Sequence, residues 1–378
     1  MSLRAIEAAE VATGLTGSPP AFDTIVDARS PAEFADDRVP GAVNWPVLSD
    51  DERREVGTLH KQVSAFEARK TGAALVARNI ARHLERHVRE RPREWSPLVY
   101  CWRGGQRSGT LAWFLDKVGF RVTVLRGGYK AFRRVVIDQL EVRPRALRFI
   151  VICGRTGCGK TRLLHALHAA GEQVLDLEGL ARHRGSVLGG LPGTEQPSQR
   201  DFETQLWQAI AAFDPARPVW VESESRKIGN LHLPPAVIGT MREHGRCIEM
   251  QVPEAARVQL LLDDYAHLTR DPSRYGQLLD SLIDARGRAL VQQWRSLAER
   301  GDWAGSFARL IHDHYDPGYL ESIRRNFRGF EAAEVLPLPD AGATTLADAA
   351  RRLVEAMSEG WRPGTAAGDA VSGEAARP

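Results

Sequence analysis

FIVICGRTGCGKT, residues 149–161, opens as a continuous apolar run and turns at Gly154 into a loop that fits G-x4-G-K-[ST] in full. An unbroken apolar run of this length is the pattern of a strand buried on both faces, as in a parallel sheet. TRLLHALHAAG follows with helical character, so the loop stands between a strand and a helix, the context that gives the motif its meaning. Its glycines let backbone N–H groups face phosphate oxygens, Lys160 reaches one of them, and Thr161 offers a ligand to Mg²⁺. Gly154, Arg155, Thr156, Gly157, Gly159, Lys160 and Thr161 are the expected phosphate-binding residues. Only six of the 51 basic residues are lysine, so a lysine at this position is less easily an accident. The cradle recognises a diphosphate and specifies no nucleotide base. A metal partner is expected at neighbouring strand ends. Asp176 lies near the end of VLDL, Glu222 closes PVWVE (218–222) and Glu224 lies two residues on. Each is a candidate for metal or acid–base work, with helix capping as the plain alternative for the two glutamates, and no metal site is certain from spacing alone.

Outward from the motif the chain divides. Downstream, QVLDL (173–177), PVWVE (218–222) and CIEMQV (247–252) read as strands, and Pro253 to about Glu334 as mostly helical. Upstream, EVRPRALR (141–148) reads as a connector, preceded by a separate alternation of strands and helices that implies a parallel sheet of its own. There Phe22–Val26, PLVYC (97–101) and VTVLRGG (122–128) are strand-like, with a charged helical stretch near 49–93. The expected fold is α/β throughout: a parallel-sheet domain over 1–140, a connector over 141–148, and a P-loop NTPase-like α/β domain over 149–360 with a helical C-terminal part. Residues 361–378, rich in Gly, Ala and Pro without apolar period, are expected to form a disordered tail. The 378 residues carry a formal net charge of +3, with 43% hydrophobic and 26% charged residues, which excludes a wholly disordered chain. No apolar run approaches the roughly 20 residues of a membrane helix, and MSLRAIEAAEVATG lacks a signal core, so the expected location is cytoplasmic, with no membrane partner. Four cysteines are too few and too scattered for a disulfide framework or a paired zinc site.

One of them is different. Cys101 follows the strand-like LVY and precedes Trp102-Arg103-Gly104-Gly105-Gln106-Arg107-Ser108, where a helix begins. Such a turn lets loop and first-turn N–H groups converge on an anion, and the helix N-terminus with nearby arginine favours thiolate over thiol. Cys101, Arg103 and Arg107 are the expected catalytic residues; the plain alternative is a packed cysteine in a strand–helix turn. Just after Gly127-Gly128, Lys130, Arg133 and Arg134 share one helical face, with Arg126 close by. Alone this is a solvated face; beside an anion-binding loop it is a candidate RNA backbone track. His312-Asp313-His314 has ligand-like spacing but no evident third ligand.

VDARSPAEF, VPGAVNWP, YCWRGGQRSGTLAWFL and VLRGGYKAF resemble the successive landmarks of a rhodanese domain over about residues 14–137, with a helical insert at about 49–93 that common rhodaneses lack. The resemblance implies a cysteine that carries transferable sulfur or selenium. Cys101 to Arg107 is Cys-x5-Arg where rhodaneses have Cys-x4-Arg, which is similar to rhodanese-like dual-specificity phosphatases. A rhodanese module followed by a P-loop module, with YCWRGGQRSG, LRGGYKAFR, GRTGCGKT and LDLEGLARHRGS, resembles the bacterial tRNA 2-selenouridine synthases over about residues 10–360. That family resemblance implies replacement of sulfur by selenium in wobble 2-thiouridine of tRNA. It further implies selenophosphate and geranyl diphosphate as co-substrates, a selanylsulfide on Cys101, no tightly bound cofactor beyond Mg²⁺ as a candidate, and an enzyme that supplies selenophosphate as a partner. Two other readings stay open: a Cys-dependent phosphatase fused to a kinase-like domain, which wants a general acid that the sequence does not place, and a nucleotide-switched RNA-binding protein.

Overall fold

A computed structural model describes residues 3–16, 22–190 and 192–360. The tail expected over 361–378 lies outside the described residues. The described residues form two compact units: those within 1–148, 177–217 and 224–245 make the first, and those within 149–176, 218–223 and 246–360 the second.

The sheet of the first unit contains β1 (Arg4–Ile6), β2 (Thr24–Asp27), β3 (Ala42–Asn44), β4 (Pro97–Tyr100) and β5 (Thr123–Leu125). The order is β1-β5-β4-β2-β3, parallel at every pairing, with Val26 opposite Val99 and Asp27 opposite Tyr100. All four residues of β4 are buried, as its uninterrupted apolar run requires. Val26, Val99, Leu111, Ala112 and Leu115 form the heart of its core. The charged stretch after β3 folds into two helices, Asp50–Gln62 and Ala65–His83. Ser49 caps the first of them: its Oγ accepts from the Glu52 N–H at 3.2 Å while Glu52 accepts from the Ser49 N–H at 2.8 Å.

Two expectations change here. EVRPRALR is no extended connector. Its first residues finish the helix Gly128–Val142, and Arg143–Ala146 form a 3-10 turn entered through Pro144, which such a first turn tolerates. The boundary expected at 149 also does not coincide with the compact units, because 177–217 and 224–245 pack with the first. The physical reason lies in the helix Gln199–Ala211. Trp207 packs edge-on against Phe132 and donates through Nε1 to Gln139 Oε1 at 2.7 Å. Thr204 and Tyr129 both donate to the buried Asp37 carboxylate, at 2.9 and 2.6 Å.

The second unit holds β6 (Phe149–Gly154), β7 (Gln173–Leu175), β8 (Val219–Glu222), β9 (Arg246–Gln251) and β10 (Glu334–Pro337). They line up as β10-β9-β6-β8-β7, again all parallel. The chain leaves β6 for the far edge and then returns to place β8 beside it, so the carboxyl end of β6 opens at a switch of strand order, where such sheets bind ligands. Leu163, Leu164 and Leu167 of the helix Lys160–Ala169 pack with Trp220, Ile248, Leu346 and Leu353 in one core. Among the described residues no helix is long and apolar enough to cross a membrane.

Candidate functional site

In the first unit, Cys101 follows the last residue of β4 and is 3% exposed. The loop after it is held against the turn that follows β5. The Tyr129 N–H donates to Cys101 O at 2.8 Å and the Lys130 N–H to Trp102 O at 3.0 Å. Contact this close requires glycine. Gly128 has φ of +61°, and an added Cβ would overlap Cys101 O and stand 2.5 Å from the Gly104 nitrogen. The helix Gln106–Val118 then starts from Gly105, directing its N-terminal amides toward the loop. Ser108 Oγ donates to Cys101 Sγ at 3.1 Å. The sequence marks Ser108 only as a helix start; its place in the first turn of the helix that follows the cysteine loop is the available signal.

The two arginines expected beside Cys101 behave differently. Arg103 is exposed and forms no ion pair among the described residues. Arg107 donates to Glu33, at 2.6 and 3.3 Å, and Arg53 reaches the same carboxylate at 3.0 Å. Burial opposes ionisation of Glu33, but Arg107, the Ser30 N–H and Arg53 outweigh it and hold its carboxyl below the ordinary value. The guanidinium of Arg107 is thus committed to Glu33, which fixes the start of the helix.

The proposed RNA face divides as well. Lys130 and Arg134 are exposed, and Arg134 pairs only with Asp138 one turn on. Arg126 is exposed and pairs with Glu7. Arg133, by contrast, turns inward: it pairs with Glu203 and donates to Thr204 Oγ1 and Arg200 O. Arg133 is a packing cation of the first unit, so the expected three-residue track reduces to Lys130 and Arg134. His312 and His314 also part company, His312 meeting Asp313 at 2.8 Å and His314 Nδ1 accepting from Arg286 at 2.9 Å.

In the second unit, residues 154–161 form a closed loop around the end of β6. Gly157 has φ of +80°, and a Cβ there would lie 2.9 Å from Arg257 O. Lys160 Nζ donates to Gly154 O at 2.9 Å, spanning the loop. Thr161 Oγ1 donates to Glu222 Oε2 at 2.8 Å, and Glu222 is fully buried. This hydroxyl and carboxylate are two hard oxygen donors side by side, a set suited to Mg²⁺. Asp176 instead meets His165 at 2.9 Å, and Glu224 belongs to the first unit.

Three supports of the loop come from distant sequence. Arg257, 3% exposed, donates to Thr156 O at 2.9 Å and bidentately to Asp316 at 2.9 and 2.6 Å. Arg155 reaches Asp316 at 3.5 Å. Tyr319 Oη accepts from the Gly154 N–H at 2.6 Å, and its ring lies 5.6 Å from Lys160 Nζ. Burial pushes this phenol up, so it stays neutral beside the cation. The remaining cysteines have no such setting. Cys158 Sγ fills the space behind Gly154, where a Cβ would meet it at 2.6 Å, and burial pushes its thiol up. Contact with Cys247 and burial do the same to Cys153.

Comparison with known proteins finds two family matches, one on either side of residue 140 in the sequence. Residues 7–135 match the rhodanese-like domain family, and residues 147–278 match the family described as tRNA 2-selenouridine synthase AAA domain. The chain is similar to the tRNA 2-selenouridine synthase of Nitrosomonas europaea, at 34% identity over 82% of this chain and 78% of that one. Its likeness to the enzyme of the same name from Alcanivorax borkumensis is 39% over 64% of this chain and 66% of the relative. For Hydrogenovibrio crunogenus the figures are 32%, 78% and 88%.

Proposed function

Because the chain belongs to the tRNA 2-selenouridine synthase family, we propose that it replaces the sulfur of wobble 2-thiouridine in tRNA by selenium in two chemically distinct stages. A thiocarbonyl sulfur is a poor leaving group until it is alkylated. In the first stage that sulfur attacks C1 of geranyl diphosphate: a C–S bond forms, the C–O bond breaks, and pyrophosphate leaves as N3 gives up its proton. Amides of residues 154–161 and Lys160 bind the diphosphate, and Arg155 stands at its edge. Thr161 and Glu222 would hold Mg²⁺, which supplies neutralisation of the departing pyrophosphate when bound.

In the second stage the Cys101 thiolate attacks phosphorus of selenophosphate: an S–P bond forms and the P–Se bond breaks. The hydroselenide released in the loop attacks C2 of the geranylated base, where a C–Se bond forms and the C–S bond breaks as geranylthiol leaves. Water then cleaves the S–P bond and phosphate departs, whereas the selanylsulfide implied by the resemblance would need a two-electron oxidant. The loop amides and the N-terminus of the helix Gln106–Val118 bind the anionic donor, and Ser108 orients the sulfur. Exposed Arg103, Lys130 and Arg134 meet RNA phosphate. The observation that carries this reading is the contrast among the four cysteines. Cys101 combines the N-terminus of the helix Gln106–Val118 with the Ser108 hydroxyl, whereas Cys158 is packed behind Gly154 with its thiol pushed up and Cys153 and Cys247 lie in strands of the second unit. Mass spectrometry of tRNA nucleosides from a strain lacking this protein tests the proposal. It predicts loss of the selenium-containing nucleoside and retention of 2-thiouridine; an unchanged selenonucleoside would refute it.

A further inference from the structure

The two helices inserted after β3 enclose a cavity of about 1070 Å³ against the helix that follows the cysteine loop. Its walls are Leu48, Val56, Ala68 and Val76, together with small residues at Gly57, Ala73 and Ala77 that leave the space open. Val56 closes over Gly72, where an added Cβ would lie 3.4 Å from its Cγ1. The far wall is formed by Gln106, Arg107 and Thr110, from the first turns of the helix whose N-terminus faces Cys101. One carboxylate, Glu33, joins that wall to the mouth, since it accepts from both Arg107 and Arg53.

The mouth is basic. Arg53, Arg54, His60, Lys61 and Arg69 line it, and no lining residue among those described is acidic. Lys61 and Arg69 pair with no carboxylate among the described residues. Apolar walls bury an apolar chain, and a volume of this order is that of a small-molecule site. Unpaired cations at the mouth attract phosphate. The ligand that satisfies both is an anionic polymer bearing one apolar chain. We propose that this cavity seats the geranyl chain of the S-geranylated tRNA nucleoside, with RNA phosphate on the basic mouth, so that the alkylated base is held beside the Cys101 loop. This inference rests on the two-stage reading above and assigns the alkylated intermediate to a place. A chain docked here makes the second stage selective for alkylated tRNA, because unmodified 2-thiouridine has nothing to bury.

Binding tests the cavity without depending on turnover. Anticodon stem-loop RNAs carrying S-geranyl- or S-methyl-2-thiouridine at the wobble position are titrated with the full chain by fluorescence anisotropy. The native protein is expected to bind the geranyl RNA at least tenfold more tightly. Ala73→Phe with Ala77→Phe, two exposed positions that line the cavity, is expected to bring the ratio of the two affinities close to one. Val56→Thr, nearly isosteric, covers the case in which the double variant does not fold and is expected to lower the ratio severalfold. A native ratio near one, or an unchanged ratio in variants that melt like the native protein, overturns the proposal. The same native complex given selenophosphate and digested to nucleosides addresses the parent reading separately. Absence of 2-selenouridine alongside a high affinity ratio refutes the two-stage chemistry while supporting the cavity as the chain's binding site.

Discussion

Gly128→Ala is the substitution with the most to say about how the cysteine loop is held. The residue sits at φ of +61°, and the new Cβ would overlap Cys101 O, lie 2.5 Å from the Gly104 nitrogen and 3.0 Å from the Arg103 carbonyl carbon. The left-handed backbone costs an alanine about 1–2 kcal/mol. Forcing apart backbone atoms that cannot rotate away costs about 1–3 kcal/mol more. The first unit should therefore lose ~2–5 kcal/mol, which for a unit of its size lowers the melting temperature by roughly 10 °C. The loop moves with the clash, so selenouridine formation should fall by more than tenfold at temperatures where the protein is still folded. Gly109→Ala is the matched control. Gly109 lies in the helix Gln106–Val118 with nothing within 4 Å of an added Cβ, and alanine there gains about 1 kcal/mol of helix propensity. Differential scanning calorimetry with nucleoside analysis of both variants is the assay. A Gly128→Ala protein with native melting and native selenouridine formation would show that the close approach of the two turns does not position Cys101.

Other consequences can be measured alongside it. Lys160→Ala removes the cation that spans the phosphate loop and should weaken geranyl diphosphate binding by calorimetric titration at least tenfold, with unchanged circular dichroism. Affinity equal to the native value would move the diphosphate elsewhere. Glu33 has a folded carboxyl value below its ordinary one, so the stability it contributes is present above the ordinary value of about 4.3 and is lost as pH falls through the lower folded value. The stability difference between native and Glu33→Gln protein should accordingly be full at pH 7 and shrink on acidification below about pH 4, and a difference independent of pH contradicts the Arg107–Glu33 account. Charge reversal at Lys130 and Arg134 should weaken tRNA binding and flatten its salt dependence, whereas Arg133→Glu should lower the melting temperature, because it breaks the pair with Glu203. Equal salt slopes for the native and doubly reversed proteins would return Lys130 and Arg134 to the solvated surface.

Much of this architecture is written in local sequence. The run Phe149–Cys153 and the glycine-spaced loop after it locate β6 and the phosphate cradle, because a central parallel strand must be apolar on both faces and the loop needs residues that tolerate its backbone. Cys101 was legible for the same reason, as a cysteine between an apolar strand and a glycine turn. The short strands β1 and β10 were not legible. Arg4–Ile6 and Glu334–Pro337 are three and four residues long, lie at sheet edges and are largely exposed, so they carry no apolar run. Nor could spacing reveal the supports of the phosphate loop. Tyr319 lies 165 residues from the Gly154 amide it accepts from, and Arg257 lies 101 from the Thr156 carbonyl it binds. Periodicity marks a helix as amphipathic without saying which sheet its apolar face meets. Residues 199–211 fell to the P-loop domain by sequence position alone, while Thr204 and Trp207 place the helix they form with the first unit. Arg133 was misjudged for a related reason, since i, i+3 and i+4 spacing does not tell an inward arginine from an outward one when the partner, Glu203, is 70 residues away.

The central claim is that one thiol and one phosphate cradle perform separable stages of selenium insertion. Its most direct test is the nucleoside product of Cys101→Ala. The protein is incubated with 2-thiouridine-containing tRNA, geranyl diphosphate and selenophosphate, and the digested RNA is analysed by mass spectrometry. Cys101→Ala removes the one thiol under Ser108 at a helix N-terminus and leaves the second unit's loop, Lys160 and Thr161 in place. The account predicts that the native protein yields 2-selenouridine and that the variant accumulates the S-geranyl nucleoside. Full 2-selenouridine formation by a folded Cys101→Ala protein, or loss of geranylation together with selenation, would contradict it.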